Sequence, residues 1–240
     1  VLPLPNSSST IGNFGGASCG AGGTVTLREA LRISCNTAFA QLGLDLGDDA
    51  LREQAERFGF GSALSIPLRV EPSRFPEDPD APQTALAAIG QHDVRATPMG
   101  MAMVSAAIAN GGEQRQPFLV RTVRDPDLEV VDETSPQTLR TSVSPSTADA
   151  LTDMMVGVVE SGTGTAAQIP GVLVAGKTGT AQTTADAAPH AWFTGFAPAD
   201  APQVAVAVVV ENGGSAGNEA TGGRIAAPIA RAVIEAVLAS

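Results

Sequence analysis

The only lysine in this 240-residue sequence lies in the stretch Gly176-Lys177-Thr178-Gly179-Thr180-Ala181-Gln182; arginine supplies the other basic side chains. Small neighbours leave an ammonium there unobstructed toward an incoming extended substrate. On a strand, Thr178 and Thr180 point to one face and Lys177 to the other, unless Gly176 or Gly179 permits a bulge. Such a set could hold an anion such as a carboxylate, and a backbone N–H near Thr180 could stabilise an oxyanion. The same residues also fit a turn rich in glycine and threonine with an exposed lysine. A nucleotide-binding loop is set aside, because it should open a helix and here an Ala/Thr-rich stretch follows.

A second candidate is Ser34-Cys35-Asn36, set among apolar residues. Two polar side chains in such surroundings need partners. These are either nearby backbone groups or the members of a site. His92 and His190, isolated from one another in sequence, read as structural. Cys19 and Cys35 are the only cysteines. They fit either two unrelated buried thiols or a disulfide, which would imply an oxidising compartment. Two cysteines with two histidines make no convincing zinc site.

In the elements that carry these residues, Thr26 and Glu29 have the spacing of a capping box. Apolar residues then recur at helical spacing over 27–42, which predicts one helix carrying Ser34. A shorter helix is expected over 48–58, ended by Gly59 and Gly61, and 60–83 reads as a surface connection. Thr97-Pro98 and Ser144-Pro145 open helices to about 109 and 159. Residues 117–132 predict a hairpin turning at Asp125-Pro126-Asp127. Strands are expected around 172–182, 190–196 and 203–211, the last two forming an antiparallel hairpin. The uninterrupted apolar run at 203–211 suggests a central strand covered on both faces. A glycine-rich loop, 212–223, precedes a terminal helix with Ile225, Ile229, Val233 and Val237 at i+4 spacing. The sum is an α+β arrangement, an antiparallel sheet with flanking helices plus a mostly helical part.

Composition narrows the partners. A formal charge of −11 argues against nucleic acid and against anionic lipid surfaces. No apolar run is long enough to span a bilayer.

Ser-x-Asn followed by Lys-Thr-Gly belongs to a known serine acyl-transfer signature, whose first element is Ser-x-x-Lys. Here Ser34-Cys35-Asn36 precedes Lys177-Thr178-Gly179 in that order. With these pairs in view, the chain resembles the transpeptidase domain of class B penicillin-binding proteins. The likeness extends through "TLREALRISCNTAF", "IGQHDVRATPMGMAMVSAAIANGG", "GVLVAGKTGTAQ", "HAWFTGFAPAD" and "TGGRIAAPIARAVIE". His92 departs from the family's commoner glycine. The resemblance implies the penicillin-binding protein/serine β-lactamase fold and a D,D-transpeptidase that cross-links peptidoglycan stem peptides and is acylated by β-lactam antibiotics. It implies extracytoplasmic placement on the bacterial membrane and no cofactor or metal.

Residue by residue, the resemblance implies that Ser34 hydrogen-bonds near the leaving nitrogen and relays a proton. Asn36 would orient the nucleophile's lysine and the substrate amide. Lys177 would supply positive charge beside Ser34, and Thr178 and Thr180 would bind the substrate carboxylate. Gly179, Ala181 and Gln182 would line the substrate strand, with the Thr180 N–H as an oxyanion donor. Trp192 would be core or a wall of the groove. A Cys19–Cys35 bridge, if formed, would tie the N-terminal segment to the Ser-x-Asn motif. The Ser-x-x-Lys pair itself is absent, since the residue three before the only lysine is Val174. Residues 1–240 thus look like the C-terminal portion of the catalytic domain, with about 24–160 mainly helical and about 170–240 sheet and terminal helix. An upstream segment or companion chain is expected to bring the nucleophile. The alternatives are a D,D-carboxypeptidase of the same fold or a noncatalytic peptidoglycan or β-lactam sensor.

Overall fold

The computed structural model describes residues 1–66, 68–184 and 186–240. The chain opens with two very short paired strands, β1 (Leu2–Pro3) and β2 (Thr10–Ile11), followed by glycine-rich 3-10 turns. Helix α1 (Leu27–Ile33) begins where expected, and the Thr26 hydroxyl accepts the Glu29 N–H at 3.2 Å. Only half the capping box forms, because the Glu29 carboxylate turns instead to Arg32 at 2.6 and 2.7 Å.

The predicted single helix over 27–42 is broken. Ser34 takes a left-handed conformation with φ 58°, and α2 (Asn36–Leu46) starts anew after Cys35. Apolar periodicity runs on through the break, so pattern did not reveal it. The physical reason is the cap: the N–H groups of Ser34 and Cys35 fold back onto the carbonyls of Leu31 and Ala30. Helix α3 (Asp48–Arg57) follows as expected. The connection at 60–83 holds more than loop: a small hairpin of β3 (Leu64–Ile66) and β4 (Leu68–Val70), then the start of α4 (Ala81–Ala87). A full capping box of Asp80 and Gln83, with Pro82 in the first turn, was the legible signal for α4.

Helix α5 (Pro98–Ala109) starts at the Thr97 cap. Short strands β5 (Glu113–Arg115), β6 (Thr122–Arg124), β7 (Val130–Glu133) and β8 (Thr138–Thr141) come next. The β6–β7 pair is the expected hairpin, its turn closed by Asp125 accepting the N–H groups of Asp127 and Glu129. Helix α6 (Pro145–Ser161) is capped by Ser144.

The main sheet has three antiparallel strands, β9 (Ala175–Ala181), β10 (His190–Ala197) and β11 (Val204–Val210). Their order is β11-β10-β9, so β10 rather than β11 is central among the described strands. The apolar run in β11 has another cause: α5 packs on one face of the sheet there and α7 (Ala227–Leu238) on the other. Strand alternation sorts the two cores. Phe193 and Ala197 join Val159, Val174, Ala230 and Ile234 on the α7 side, whereas Phe196 joins Ile108, Met155 and Ala175 on the α5–α6 side.

A π-helical turn, Gly222–Ala226, leads into α7. On α7 the i+4 stripe lies largely outward: Ile229, Val233 and Val237 are exposed, while Ala227, Ala230 and Ile234 are buried. Small residues at the contact let the helix axis approach the sheet, and the branched i+4 stripe falls on the flank. No helix among the described residues is long and apolar enough to cross a membrane.

Candidate active site

Strand β9 lies at the end of the described sheet, so one of its edges is unpaired. Antiparallel register places Lys177 opposite Thr194 and Gly179 opposite Trp192, all four on the α5 side. The Lys177 ammonium reaches Ser34 Oγ at 2.8 Å, across 143 residues of sequence, and also donates to the Thr178 carbonyl at 2.7 Å. The left-handed turn at Ser34 presents its hydroxyl there. A continuous helix through residue 34 would have aimed it elsewhere. Strain at a non-glycine residue in this conformation is tolerated because both neighbouring helices pin the turn.

Lys177 has no carboxylate partner among the described residues. Burial without a counter-charge lowers its pKa from the ordinary 10.5 to about 8. An ammonium near its neutral point beside a hydroxyl is suited to moving a proton as well as to attracting negative charge.

Thr178 and Thr180 occupy the opposite face, as strand alternation requires. The Thr178 hydroxyl lies 2.6 Å from that of Thr163, and the Thr180 hydroxyl accepts the Gly222 N–H at 3.4 Å. Behind this strand, Gly222 touches the backbone of Gly179 and Trp192, where any side chain would collide. Gly179 has a reason beyond access to the strand: a Cβ there would sit 3.1 Å from the Trp192 Cβ. Trp192 is half-buried on the Lys177 face, between the two roles considered for it. Ala181 ends β9 opposite His190, and Gln182 lies just beyond it, exposed.

Asn36 is not brought to Lys177 by a hydrogen bond; its amide donates to the Gly12 carbonyl at 3.2 Å. The N-terminal segment is held to this point in three ways. Besides the Asn36 contact, Asn13 accepts the Thr37 N–H at 3.0 Å, and Cys19 and Cys35 are joined by a disulfide. The bridge is thus attached to the central residue of Ser34-Cys35-Asn36.

Three strings that match other motifs literally fail on context. Gly171-x4-Gly176-Lys177-Thr178 has the spacing of a phosphate-binding loop, but its lysine lies inside strand β9, which pairs with β10 rather than opening a helix. Gly16–Gly20 and Gly213–Gly217 spell Gly-x-Ser-x-Gly. Neither forms a strand-to-helix elbow, and the His190 Nδ1 is occupied by the Asn212 N–H. Sequence reasoning missed Thr163 and Arg32. The signal available was the glycine-flanked Thr163 directly after a long helix.

The model of the penicillin-binding protein transpeptidase domain matches residues 4–235. The chain belongs to the penicillin-binding protein transpeptidase family. It is 48% identical over 240 residues to the peptidoglycan D,D-transpeptidase PbpA of Mycolicibacterium smegmatis, covering 98% of this chain and 48% of that protein. The corresponding PbpA of Mycobacterium tuberculosis is 48% identical over 242 residues, covering 99% and 49%. A solved structure of penicillin-binding protein A from M. tuberculosis, a penicillin G acyl-enzyme complex, superposes with a TM-score of 0.90. It shares 48% identity and covers 99% of this chain and 54% of that one. The chain spans about half the length of the curated relatives it matches. The family fold is therefore the penicillin-binding protein transpeptidase fold, as the motifs implied.

Proposed function

We propose that residues 1–240 supply the Ser-x-Asn and Lys-Thr-Gly parts of a serine D,D-transpeptidase, as the C-terminal portion of its catalytic domain. A segment carrying Ser-x-x-Lys, outside these residues, provides the nucleophile. The observation that carries this reading is the 2.8 Å contact of Lys177 with Ser34, two motif residues brought together from distant sequence. The similarity to PbpA proteins, named as peptidoglycan D,D-transpeptidases, supports it.

In the proposed reaction the upstream serine attacks the carbonyl of a D-alanyl-D-alanine bond in a peptidoglycan stem peptide. Its proton passes to the lysine of its own motif. The C–N bond then breaks, and Ser34 delivers a proton to the leaving nitrogen from the hydrogen-bonded Lys177 pair. The amine of a neighbouring stem peptide then attacks the ester and gives a proton to the Ser34–Lys177 pair, and the acyl–oxygen bond breaks as the serine takes back its proton from the lysine of its motif. The Thr180 N–H and the nucleophile's own N–H hold the oxyanion. Asn36 orients the nucleophile's lysine, with its amide N–H donated to the Gly12 carbonyl. Thr178 and Thr180 bind the terminal carboxylate, Gly179, Ala181 and Gln182 run beside the substrate, and Trp192 walls the groove. β-Lactams acylate the same serine. The protein works at the extracytoplasmic face of the membrane, anchored by the upstream part.

The test is covalent labelling of the complete protein by a fluorescent penicillin, with and without the upstream serine. Labelling that disappears with the serine, together with cross-linked dimer from stem-peptide substrates, is the expected result. An intact folded protein that takes up no label would sink the reading, and hydrolysis without cross-linking would place it among carboxypeptidases.

A further inference from the structure

Resting on that acyl-transfer reading, the geometry points to Thr163 as a positioning residue for the substrate's carboxylate, acting through Thr178. Thr163 lies in the turn after α6, between Gly162 and Gly164, and is exposed. Its Oγ is 2.6 Å from the Oγ of Thr178, whose residue is only 9% exposed. A hydroxyl has one proton to donate and two lone pairs that accept. If Thr178 gave its proton to Thr163, an arriving carboxylate would meet only lone pairs. With Thr163 as donor, the Thr178 proton is released toward the anion.

Thr180 is arranged alike. Its hydroxyl accepts the Gly222 N–H from behind, at 3.4 Å, so its proton too is available to an anion. The two threonines of the strand are thus each supplied with a donor on the protein side, one from the terminal-helix turn and one from Thr163.

Thr163 is itself held from two directions. Its N–H donates to the Arg32 carbonyl at 3.2 Å, and Gly223 packs on its carbonyl with no space for a side chain. Arg32 also hydrogen-bonds the Ser161 carbonyl through its guanidinium and grips Glu29 through two bonds. Two residues further on is Ser34, and its hydroxyl meets Lys177, the neighbour of Thr178. A closed ring therefore runs from Thr163 through Arg32, Ser34, Lys177 and Thr178 back to Thr163. Shifting the Thr163 turn displaces the anion-binding hydroxyl and the proton-relay pair together.

The experiment uses the complete protein and two acylating probes, a fluorescent penicillin and its carboxylate methyl ester. Wild-type protein is expected to prefer the free carboxylate. Thr163→Val should lower the acylation rate constant for the free carboxylate about ten-fold, the scale of one charge-assisted hydrogen bond. The ester should be slowed far less, the thermal midpoint should be unchanged, and Thr163→Ser should restore the preference. Equal slowing of both probes, or an unchanged rate with the carboxylate, would overturn the assignment. If Thr163→Val fails to fold, Thr163→Ala is read by the same ratio. Wild-type protein that accepts neither probe overturns the acyl-transfer reading itself, whereas loss of selectivity tests Thr163 only.

Discussion

Ser34 joins two demands in one residue: a left-handed backbone that ends α1 and a hydroxyl that meets Lys177. Glycine satisfies the first demand better and cannot meet the second. Ser34→Gly should therefore leave the thermal midpoint unchanged or slightly raised, while penicillin acylation falls at least about 100-fold, the range of a lost proton-transfer group. A parallel fall in stability would show that the hydroxyl serves the fold. Lys177 gives a pH test. Its folded pKa, about 8, lies below the ordinary 10.5, so the folded state binds fewer protons than the unfolded chain between those values. Stability from this group accordingly rises as pH climbs from about 8 to 10.5, and below 8 its full burial cost, about 3 kcal/mol, is present. Lys177→Gln should flatten that slope in denaturation experiments. His92, in place of the family's commoner glycine, carries a left-handed φ of 54° at an exposed turn, which is what glycine accommodates without cost.

At the scale of elements, the break between α1 and α2 is where the N-terminal segment attaches. The Cys19–Cys35 bridge closes a 16-residue separation onto the middle of the Ser-x-Asn motif. Cross-linking a loop of that length stabilises by about 3 kcal/mol, chiefly by restricting the unfolded chain. Cys19→Ala with Cys35→Ala should lower unfolding free energy by roughly that amount and reduce acylation more than a distant destabilising substitution of equal size. Thiol labelling of the denatured, unreduced protein should find no free thiol. Two titratable thiols would show that the bridge does not form. Periodicity made α3, α5, α6 and the β10–β11 hairpin legible, because their apolar residues and caps coincide. It overran the break at Ser34, since capping hydrogen bonds rather than side-chain pattern end α1. In α7 the i+4 pattern marked the helix, while Ala227, Ala230 and Ile234 form the side that packs on the sheet.

At the scale of the molecule, an exposed stripe of Ile229, Val233 and Val237 flanks α7, and β11 has an unpaired edge. Uncovered apolar stripes and strand edges are costly in a folded protein and invite a partner. The proposed upstream segment is such a partner, and it would extend the sheet from β11. Val233→Asp should then cost about 2–4 kcal/mol in the complete protein, where an unpaired carboxylate would be buried, and far less in residues 1–240 by themselves. Equal effects in both would argue that nothing covers this flank.

The sequence by itself determined the family, the order of Ser-x-Asn and Lys-Thr-Gly, and the absence of a second lysine, because each is a matter of residue identity and spacing. It also determined the alternation that sets Lys177 opposite to Thr178 and Thr180, a consequence of strand pleat. Only the tertiary structure decided that Ser34 leaves the helix to meet Lys177 and that Asn36 turns to Gly12. It alone linked Thr163, Arg32 and Thr178 behind the strand. Those contacts join residues up to 143 positions apart, and they form because sheet, helix ends and glycine turns converge in space. No local pattern of residues encodes such a convergence; packing of the whole chain does.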